Sequence, residues 1–157
     1  MMTFDDLFSG FRHEAFRLER LPQYLVDFER VEFEEFKTTG EIPENFNDDW
    51  HRLIRACRSA GKSMKRLRLL SENHSDYERF ELSAYPSSVA AGEDIRFALR
   101  KDYRESPDFW IFDEEWIALM DYGPYGEYLG QEIRKATTSE MEEVAYWMSV
   151  FESADPV

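Results

Sequence analysis

Apolar and polar residues recur along this chain with two different periods, and each period predicts one kind of secondary structure. Between residues 50 and 61 the apolar positions follow the spacing i, i+3, i+4, i+7, which is one face of a helix; they are Trp50, Leu53, Ile54 and Cys57. Between residues 64 and 70 leucine alternates with arginine, which is the pattern of a strand with two different faces. This stretch is therefore predicted to form a helix followed by a strand.

The same periods, together with capping and breaking residues, predict the remaining elements. Further helices are expected at residues 4–8, 28–36 and 76–85 and after Thr138 or Ser139, with Ser75 as an N-cap and Pro86 as a stop. Further strands are expected at residues 14–19, 94–99, 109–113, 116–121 and 128–134. The predicted fold is a single α/β domain over residues 1–157, with a mixed sheet of about five or six strands, an antiparallel C-terminal meander and flanking helices.

The inward faces of these elements predict the core. The residues expected to be mostly buried are Trp50, Leu53, Ile54, Leu67, Leu69, Phe80, Phe109, Ile111, Trp116, Leu119, Trp147 and Phe151. Aromatic residues make up 16% of the chain, and their large buried areas favour a packed globule over a disordered chain.

Charge and composition argue against several classes of function. The formal net charge of −14 opposes attraction to nucleic acid and to anionic membranes, although it leaves a basic protein partner open. No apolar run approaches the ~20 residues that a membrane helix requires, and the first residues lack the pattern of a signal peptide. The single cysteine, Cys57, cannot form an internal disulfide, so a cytoplasmic location is expected.

Motifs for metals, cofactors and nucleophiles are absent from the sequence. The three histidines, His13, His51 and His74, lie in separate predicted elements, and no HxxxH or CxxC spacing occurs, so no metal site is expected. No glycine-rich loop has the spacing of a phosphate-binding or dinucleotide-binding motif, so no cofactor is expected. Cys57 lies on the apolar face of its helix and is interpreted as a core residue. No residue is predicted to be catalytic.

One constellation of polar residues beside aromatic residues is the candidate site, and it consists of Arg12, Arg17, Asp76, Tyr77, Arg79, Glu81 and Glu93. Two interpretations stay open: an ion-pair network that fixes the N-terminal strand against a helix, or a pocket for a small ligand or a peptide. Arg79 is expected to pair with Asp76, three residues earlier. The concentrated basic residues are expected to pair with the chain's own carboxylates; they are Lys62, Lys65, Arg66 and Arg68.

The order of the elements from residue 50 to residue 132 resembles half of a phospholipase D–type domain. In that superfamily the corresponding turn region holds His-x-Lys, with an Asp five residues after the Lys. Here Asp113 matches the Asp, whereas Asp108 stands in the Lys position and Ser106 in the His position. The resemblance implies the fold, but without the His nucleophile and the Lys no phosphodiesterase activity is expected. Asp113 is interpreted as a structural residue at a strand end.

Five runs of the sequence, at residues 11–19, 75–82, 85–86, 89–96 and 108–113, resemble an uncharacterised family found mainly in actinobacteria. The resemblance implies a cytoplasmic protein that is often encoded beside helix-turn-helix regulators of the Xre type, and it implies no activity.

The function expected from this resemblance is a non-enzymatic accessory or sensory module that contacts a helix-turn-helix transcription regulator. The expected partner surface is the acidic segment that contains Glu32, Glu34 and Glu35. Two alternatives stay open. A deep pocket with perturbed ionisable groups would favour an enzyme acting on a phosphate or a nucleotide. Acidic side chains at phosphate-like spacing would favour a DNA mimic that inhibits a DNA-binding protein.

Overall fold

The computed structural model describes every residue from 1 to 157. The α-helices are α1 (Phe4–Gly10), α2 (Arg30–Thr39), α3 (Asp48–Ser59), α4 (Asp76–Ala91) and α5 (Thr138–Ser153). The β-strands are β1 (Glu14–Glu19), β2 (Ser63–Leu70), β3 (Asp94–Leu99), β4 (Phe109–Phe112), β5 (Trp116–Tyr122), β6 (Tyr128–Lys135) and β7 (Asp155–Pro156). A short 3-10 turn, Asp27–Glu29, leads directly into α2.

All seven strands join one mixed sheet in the order β6-β5-β4-β1-β2-β3-β7. β1, β2 and β3 are parallel neighbours, whereas β4, β5 and β6 form an antiparallel meander beside β1. The predicted single α/β domain with a mixed sheet and a C-terminal meander is therefore confirmed. The sheet has more strands than expected because two residues after α5 return to its edge and pair with β3 as β7. A two-residue strand has no periodicity that a sequence pattern could reveal.

α5 covers one face of the sheet. It begins at the N-cap Thr137, whose side chain accepts a hydrogen bond from the Glu140 main-chain N–H. Its apolar side buries Trp147 completely against the sheet. The core on this face consists of Phe16, Leu18, Leu67, Leu69, Phe109, Ile111, Ile117, Val144, Trp147, Val150 and Phe151.

α1, α3 and α4 lie on the opposite face, mainly over its parallel half. α3 contacts β2, α4 contacts β3, and α2 packs on the outside of α4. α1 reaches the sheet through Phe8, whose ring centroid lies 5.1 Å from that of Trp110 in β4. The surface of β4 and β5 on this face therefore borders an open space between the helices.

α4 differs from its prediction because it continues through Pro86 to Ala91. Proline in a helix interior removes one main-chain hydrogen bond and normally breaks the helix. Here the last turns are held against the interior by the buried residues Tyr85, Ser88 and Ala91. Tertiary packing therefore offsets the local cost, and the prediction that Pro86 ends the helix was wrong.

Most of the predicted core is confirmed. The predicted residues that are buried are Ile54, Leu67, Leu69, Phe80, Phe109, Ile111, Trp147 and Phe151. Four predicted core residues are packed against the core but are not fully enclosed: Trp50, Leu53, Trp116 and Leu119. Trp50 and Leu53 are partly exposed because they border the open space on the helix-covered face, where an apolar stripe does not complete a core.

Candidate functional site

A cleft of about 930 Å³ occupies the open space above β1, β4 and β5. α1, the first turn of α3 and the 3-10 turn before α2 form its walls, while Tyr77 and Glu81 enter from α4. Its aromatic lining residues are Phe4, Phe8, Tyr24, Phe28, Trp50, Tyr77, Trp110, Tyr122 and Tyr128. Small-molecule sites typically enclose ~300–1,000 Å³ and are lined mainly by apolar and aromatic groups, so this cleft has the size and the lining of such a site.

Three aromatic rings pack together in one wall of the cleft. The centroids of Trp50 and Trp110 lie 5.9 Å apart, with the ring planes at 67°. Phe8 is edge-on to both, at 5.7 Å from Trp50 and 5.1 Å from Trp110. Each edge-to-face contact stabilises the arrangement by roughly 0.5–1.5 kcal/mol beyond the burial of area. The wall therefore has a defined shape before any ligand arrives.

Strand alternation places charged side chains on the floor of the cleft. In the central parts of β1 and β2, Phe16, Leu18, Leu67 and Leu69 face α5, whereas the alternating residues on the cleft side of the sheet are charged. The charged residues on the cleft side are Arg17, Glu19, Arg66 and Arg68. Because β1 and β2 are central strands covered on both faces, these charges are largely removed from water and need partners.

Carboxylates satisfy the two arginines of β2. Arg66 donates from Nη1 to Glu19 at 2.9 Å and from Nη2 to Glu93 at 2.7 Å. Arg68 is completely buried and lies 2.8 Å from the Glu81 carboxylate. Its guanidinium also donates to three main-chain carbonyl oxygens. This network ties β2 to β1 and to α4, so part of the floor has a structural role.

Arg17 is held from the β4–β5 side of the cleft. Its Nη2 donates to the Tyr122 hydroxyl at 3.0 Å and lies 3.5 Å from the Asp108 carboxylate. Asp108 in turn accepts hydrogen bonds from the Tyr24 hydroxyl and from the main-chain N–H of Arg20. Burial raises the pKa of Tyr122 to about 12, so this phenol stays protonated near neutral pH. The Arg17 Nη1 atom is enclosed and has no hydrogen-bond partner.

Glu29, at the end of the 3-10 turn, is a cleft carboxyl without a cationic partner. It is buried, and its hydrogen-bond partner is the Tyr77 hydroxyl. Burial raises the pKa of Glu29 to about 7. Burial also acts to raise the pKa of Glu81, and the adjacent Arg68 opposes this by favouring the ionised form. The carboxylates do not gather into a metal site, since no group of three or more His, Cys, Asp or Glu side chains is placed to hold an ion.

The structure brings together only part of the constellation singled out from the sequence. Arg17, Tyr77 and Glu81 line the cleft, and Glu93 supports it through Arg66. The other three members are exposed and lie outside the cleft; they are Arg12, Asp76 and Arg79. The expected pair between Arg79 and Asp76 is confirmed, but it is a local contact on the surface of α4.

Sequence reasoning missed several residues that line the cleft, namely Phe8, Glu19, Glu29, Trp50, Arg66 and Trp110. One feature of the sequence could have indicated the cleft: arginine residues occur in strands that the predicted order of helices and strands places in the middle of the sheet. A parallel central strand normally reads as a continuous apolar run, so charges inside one mark a buried polar site. The expected pairing of the basic strand with internal carboxylates is confirmed for Lys65, Arg66 and Arg68.

The residues at the phospholipase D–type positions have structural contacts. Asp113 accepts hydrogen bonds from the main-chain N–H groups of Arg12, His13 and Glu14, at 2.7, 2.7 and 3.0 Å. It therefore fixes the entry into β1, in agreement with its interpretation as a structural residue. Ser106 is buried, and Asp108 is engaged by Arg17 and Tyr24 as described above.

The acidic surface named from the sequence lies on α2. Glu34 and Glu35 are exposed and Glu32 is half-buried. Two apolar side chains beside them are also open to solvent, with Phe28 at 76% and Val31 at 66% exposure. None of the helices is both long enough and apolar enough to cross a membrane.

The structure is similar to the crystal structure of a phospholipase D family member, Nuc from Salmonella typhimurium, with a TM-score of 0.57 and 9% sequence identity over 97% of this chain and 86% of that chain. At this identity the likeness shows the fold alone. No curated protein matches the sequence. A family model described as a domain of unknown function, DUF6879, matches residues 2–157, and the chain therefore belongs to the DUF6879 family.

Proposed function

We propose that this chain is a sensory module that binds a small organic ligand in its aromatic cleft. The observation that carries the proposal is the cleft itself, about 930 Å³ in volume, with a preformed wall of Phe8, Trp50 and Trp110 above a charged floor. A cavity with apolar walls and a few fixed polar groups is the usual form of a small-molecule site. The phospholipase D–type positions offer no alternative use, because Asp108 and Asp113 are engaged in structural contacts.

The cleft is connected to the surface on which a partner is expected. Phe28 and Glu29 line the cleft, and the next residues of the chain begin α2. A ligand that contacts Phe28 or Glu29 therefore touches the segment that carries Val31, Glu34 and Glu35. A change of contact at the 3-10 turn would alter the exposed face of α2, which gives a physical route from ligand to partner.

We further propose that the partner is a helix-turn-helix DNA-binding protein, of the Xre type that the family resemblance implies. A net charge of −14 speeds the encounter with a basic protein, and exposed Phe28 and Val31 supply apolar contacts beside Glu34 and Glu35. The alternative that this chain is an acidic DNA mimic stays a prediction. It involves the same kind of partner, but a mimic would displace the regulator from DNA.

A fragment screen tests the ligand-binding proposal. Small aromatic compounds are screened by ligand-observed NMR against the wild-type protein and against Met120→Trp, which fills the floor of the cleft from β5. Leu129→Trp on the neighbouring strand is the matched control, because Leu129 is 61% exposed and lies outside the cleft. We expect binders that Met120→Trp loses and Leu129→Trp keeps. Binders that are unaffected by Met120→Trp, or no binders, would contradict the proposal.

The partner proposal has its own test. Surface plasmon resonance with a purified Xre-type regulator should give an association rate that falls as salt rises, because exposed charges are screened. Changing Glu34 and Glu35 to Gln should slow association, and no gel shift of DNA by this chain alone is expected. Association that is insensitive to both salt and these substitutions would refute the surface named here.

An enzyme acting on a phosphate or nucleotide is the second candidate. The observation that favours it is Glu29, whose burial raises its pKa to about 7, a value suited to proton transfer near neutral pH. Turnover of a phosphate ester that is lost in Glu29→Gln, with unchanged unfolding, would support the enzyme.

A further inference from the structure

The charges around the cleft leave one carboxyl unmatched. Each guanidinium of the floor has a carboxylate partner, and the pairs are Arg17 with Asp108, Arg66 with Glu19 and Glu93, and Arg68 with Glu81. Glu29 has only the Tyr77 hydroxyl. A buried carboxylate without a cation is costly, so the site gains most from a ligand that supplies a positive charge at this position.

The aromatic wall already shows the chemistry that such a ligand would use. The guanidinium carbon of Arg66 lies 5.8 Å from the Trp50 ring centroid, and that of Arg17 lies 5.9 Å from the Trp110 centroid. Tryptophan is the best of the aromatic side chains at attracting a cation through its ring. The aromatic wall, which lines the same cleft as Glu29, is therefore suited to a flat or compact organic cation.

We propose that the cleft binds a small organic cation, whose ammonium, guanidinium or amidinium group lies at Glu29 and whose apolar body packs on the aromatic wall. This ligand class rests on the proposed ligand-binding function and deepens it. The charge of the lining agrees, because both of its arginines have carboxylate partners, whereas Glu29 and Asp48 among its carboxyl groups form no ion pair. An overall charge of −14 also concentrates cations near the surface.

An anionic ligand fits this environment less well. Nη1 of Arg17 has no hydrogen-bond partner, but the atom is buried and so is not exposed to a ligand in the cleft. An anion would also lie near the lining carboxyl groups Glu29 and Asp48, which form no ion pair and repel a negative charge when they are ionised.

Ligand binding should be linked to the proton on Glu29. The groups that act on its charge come from β1, β2, α2 and α4; they are Glu19, Arg66, Glu32, Tyr77 and Glu81. A cation favours the ionised carboxylate, so it binds the deprotonated protein. With a pKa of about 7 for Glu29, affinity should fall about tenfold as the pH is lowered from 8 to 6.

The test uses three probes of nearly identical shape: benzamidine, which is cationic, benzamide, which is neutral, and benzoate, which is anionic. Isothermal titration calorimetry at pH 8 should give benzamidine at least about tenfold tighter binding than benzamide, and benzoate the weakest, since a tenfold ratio corresponds to one good charge contact. Equal binding of benzamidine and benzamide overturns the ligand class and leaves the ligand-binding function intact. If benzamidine does not bind at all, the cationic ligand class is also overturned. The fragment screen then tests whether the cleft binds any small ligand.

Variants of matched chemistry assign the effect to one carboxyl. Glu29→Gln keeps an oxygen that accepts from Tyr77 and resembles the protonated carboxyl, so at about pH 5 its melting temperature should stay near that of the wild type. It should bind benzamidine no better than benzamide, and the pH dependence should disappear. Glu35→Gln, on the exposed side of α2, should behave like the wild type. Retention of the cation preference in Glu29→Gln would refute the assignment.

A free organic cation and a basic side chain of a partner protein both carry a guanidinium or ammonium group. A fourth probe distinguishes these two ligands. The tripeptide acetyl-Gly-Arg-Gly-amide presents a guanidinium on a peptide. Binding weaker than that of benzamidine indicates a free small molecule. Tighter binding that requires Glu29 keeps the cation site but assigns it to a partner's arginine.

Discussion

Replacing Arg68 with methionine tests whether the buried network beneath the cleft holds the fold together. Arg68 is completely buried, lies 2.8 Å from Glu81 and donates to three main-chain carbonyl oxygens. Removing one partner of a buried ion pair typically costs about 3–5 kcal/mol, because the remaining charge loses its compensation. Domains are stable by only about 5–15 kcal/mol, so the variant should lose a large share of its stability.

Urea unfolding followed by tryptophan fluorescence measures this loss directly. Arg79→Met is the matched control, because Arg79 is an exposed arginine of α4 whose pair with Asp76 should contribute at most about 1 kcal/mol. The double variant Arg68→Met, Glu81→Leu should be more stable than Arg68→Met alone, since it leaves no unpaired carboxyl. A urea midpoint of Arg68→Met that equals that of Arg79→Met would refute the structural role of the network.

Three further outcomes are expected. The pKa of Glu29 is higher in the folded state than its ordinary value of 4.5, so the folded state holds a proton that the unfolded chain releases. Stability should therefore fall by up to about 3 kcal/mol as pH rises from about 5 to about 8, and thermal melts of Glu29→Gln should show a smaller fall. In urea unfolding, Trp147→Ala should lower the free energy of unfolding by about 3–5 kcal/mol, and Trp116→Ala should lower it clearly less because Trp116 is only half-buried. Equal losses in the two variants would contradict the assigned burial. A generic phosphodiester should show no turnover above buffer background, and turnover lost in Asp113→Ala without unfolding would overturn this.

The architecture could be predicted because it follows from local periodicity. The stripe that contains Ile54 and the alternation through Leu67 and Leu69 reflect faces that meet a core, and such faces repeat at helical or strand spacing. The prediction failed where distant packing overrode a local rule. Pro86 is tolerated inside α4 because residues on the interior side of the helix are already fixed by their neighbours.

The cleft could be predicted only in part, because most of its members have no signal at short range. Arg17 and Glu81 attracted attention as polar residues near aromatic ones, but Glu29 lies in a segment whose acidic residues look like a solvated surface. What makes Glu29 distinctive is its burial against Tyr77, which lies 48 residues away in the chain. A pairing of this kind depends on the fold, so it becomes visible only once α2 and α4 are packed together.

Indole N–H resonances offer the most direct test of ligand binding in the cleft. The chain has four tryptophans, of which Trp50 and Trp110 line the cleft while Trp147 is buried under α5. In a ¹⁵N–¹H titration with benzamidine at pH 8, we expect the Trp50 and Trp110 indole signals to shift together and to saturate, while the Trp147 signal stays in place. Signals of Trp50 and Trp110 that do not move, or shifts of the same size at Trp147, would contradict binding in this cleft.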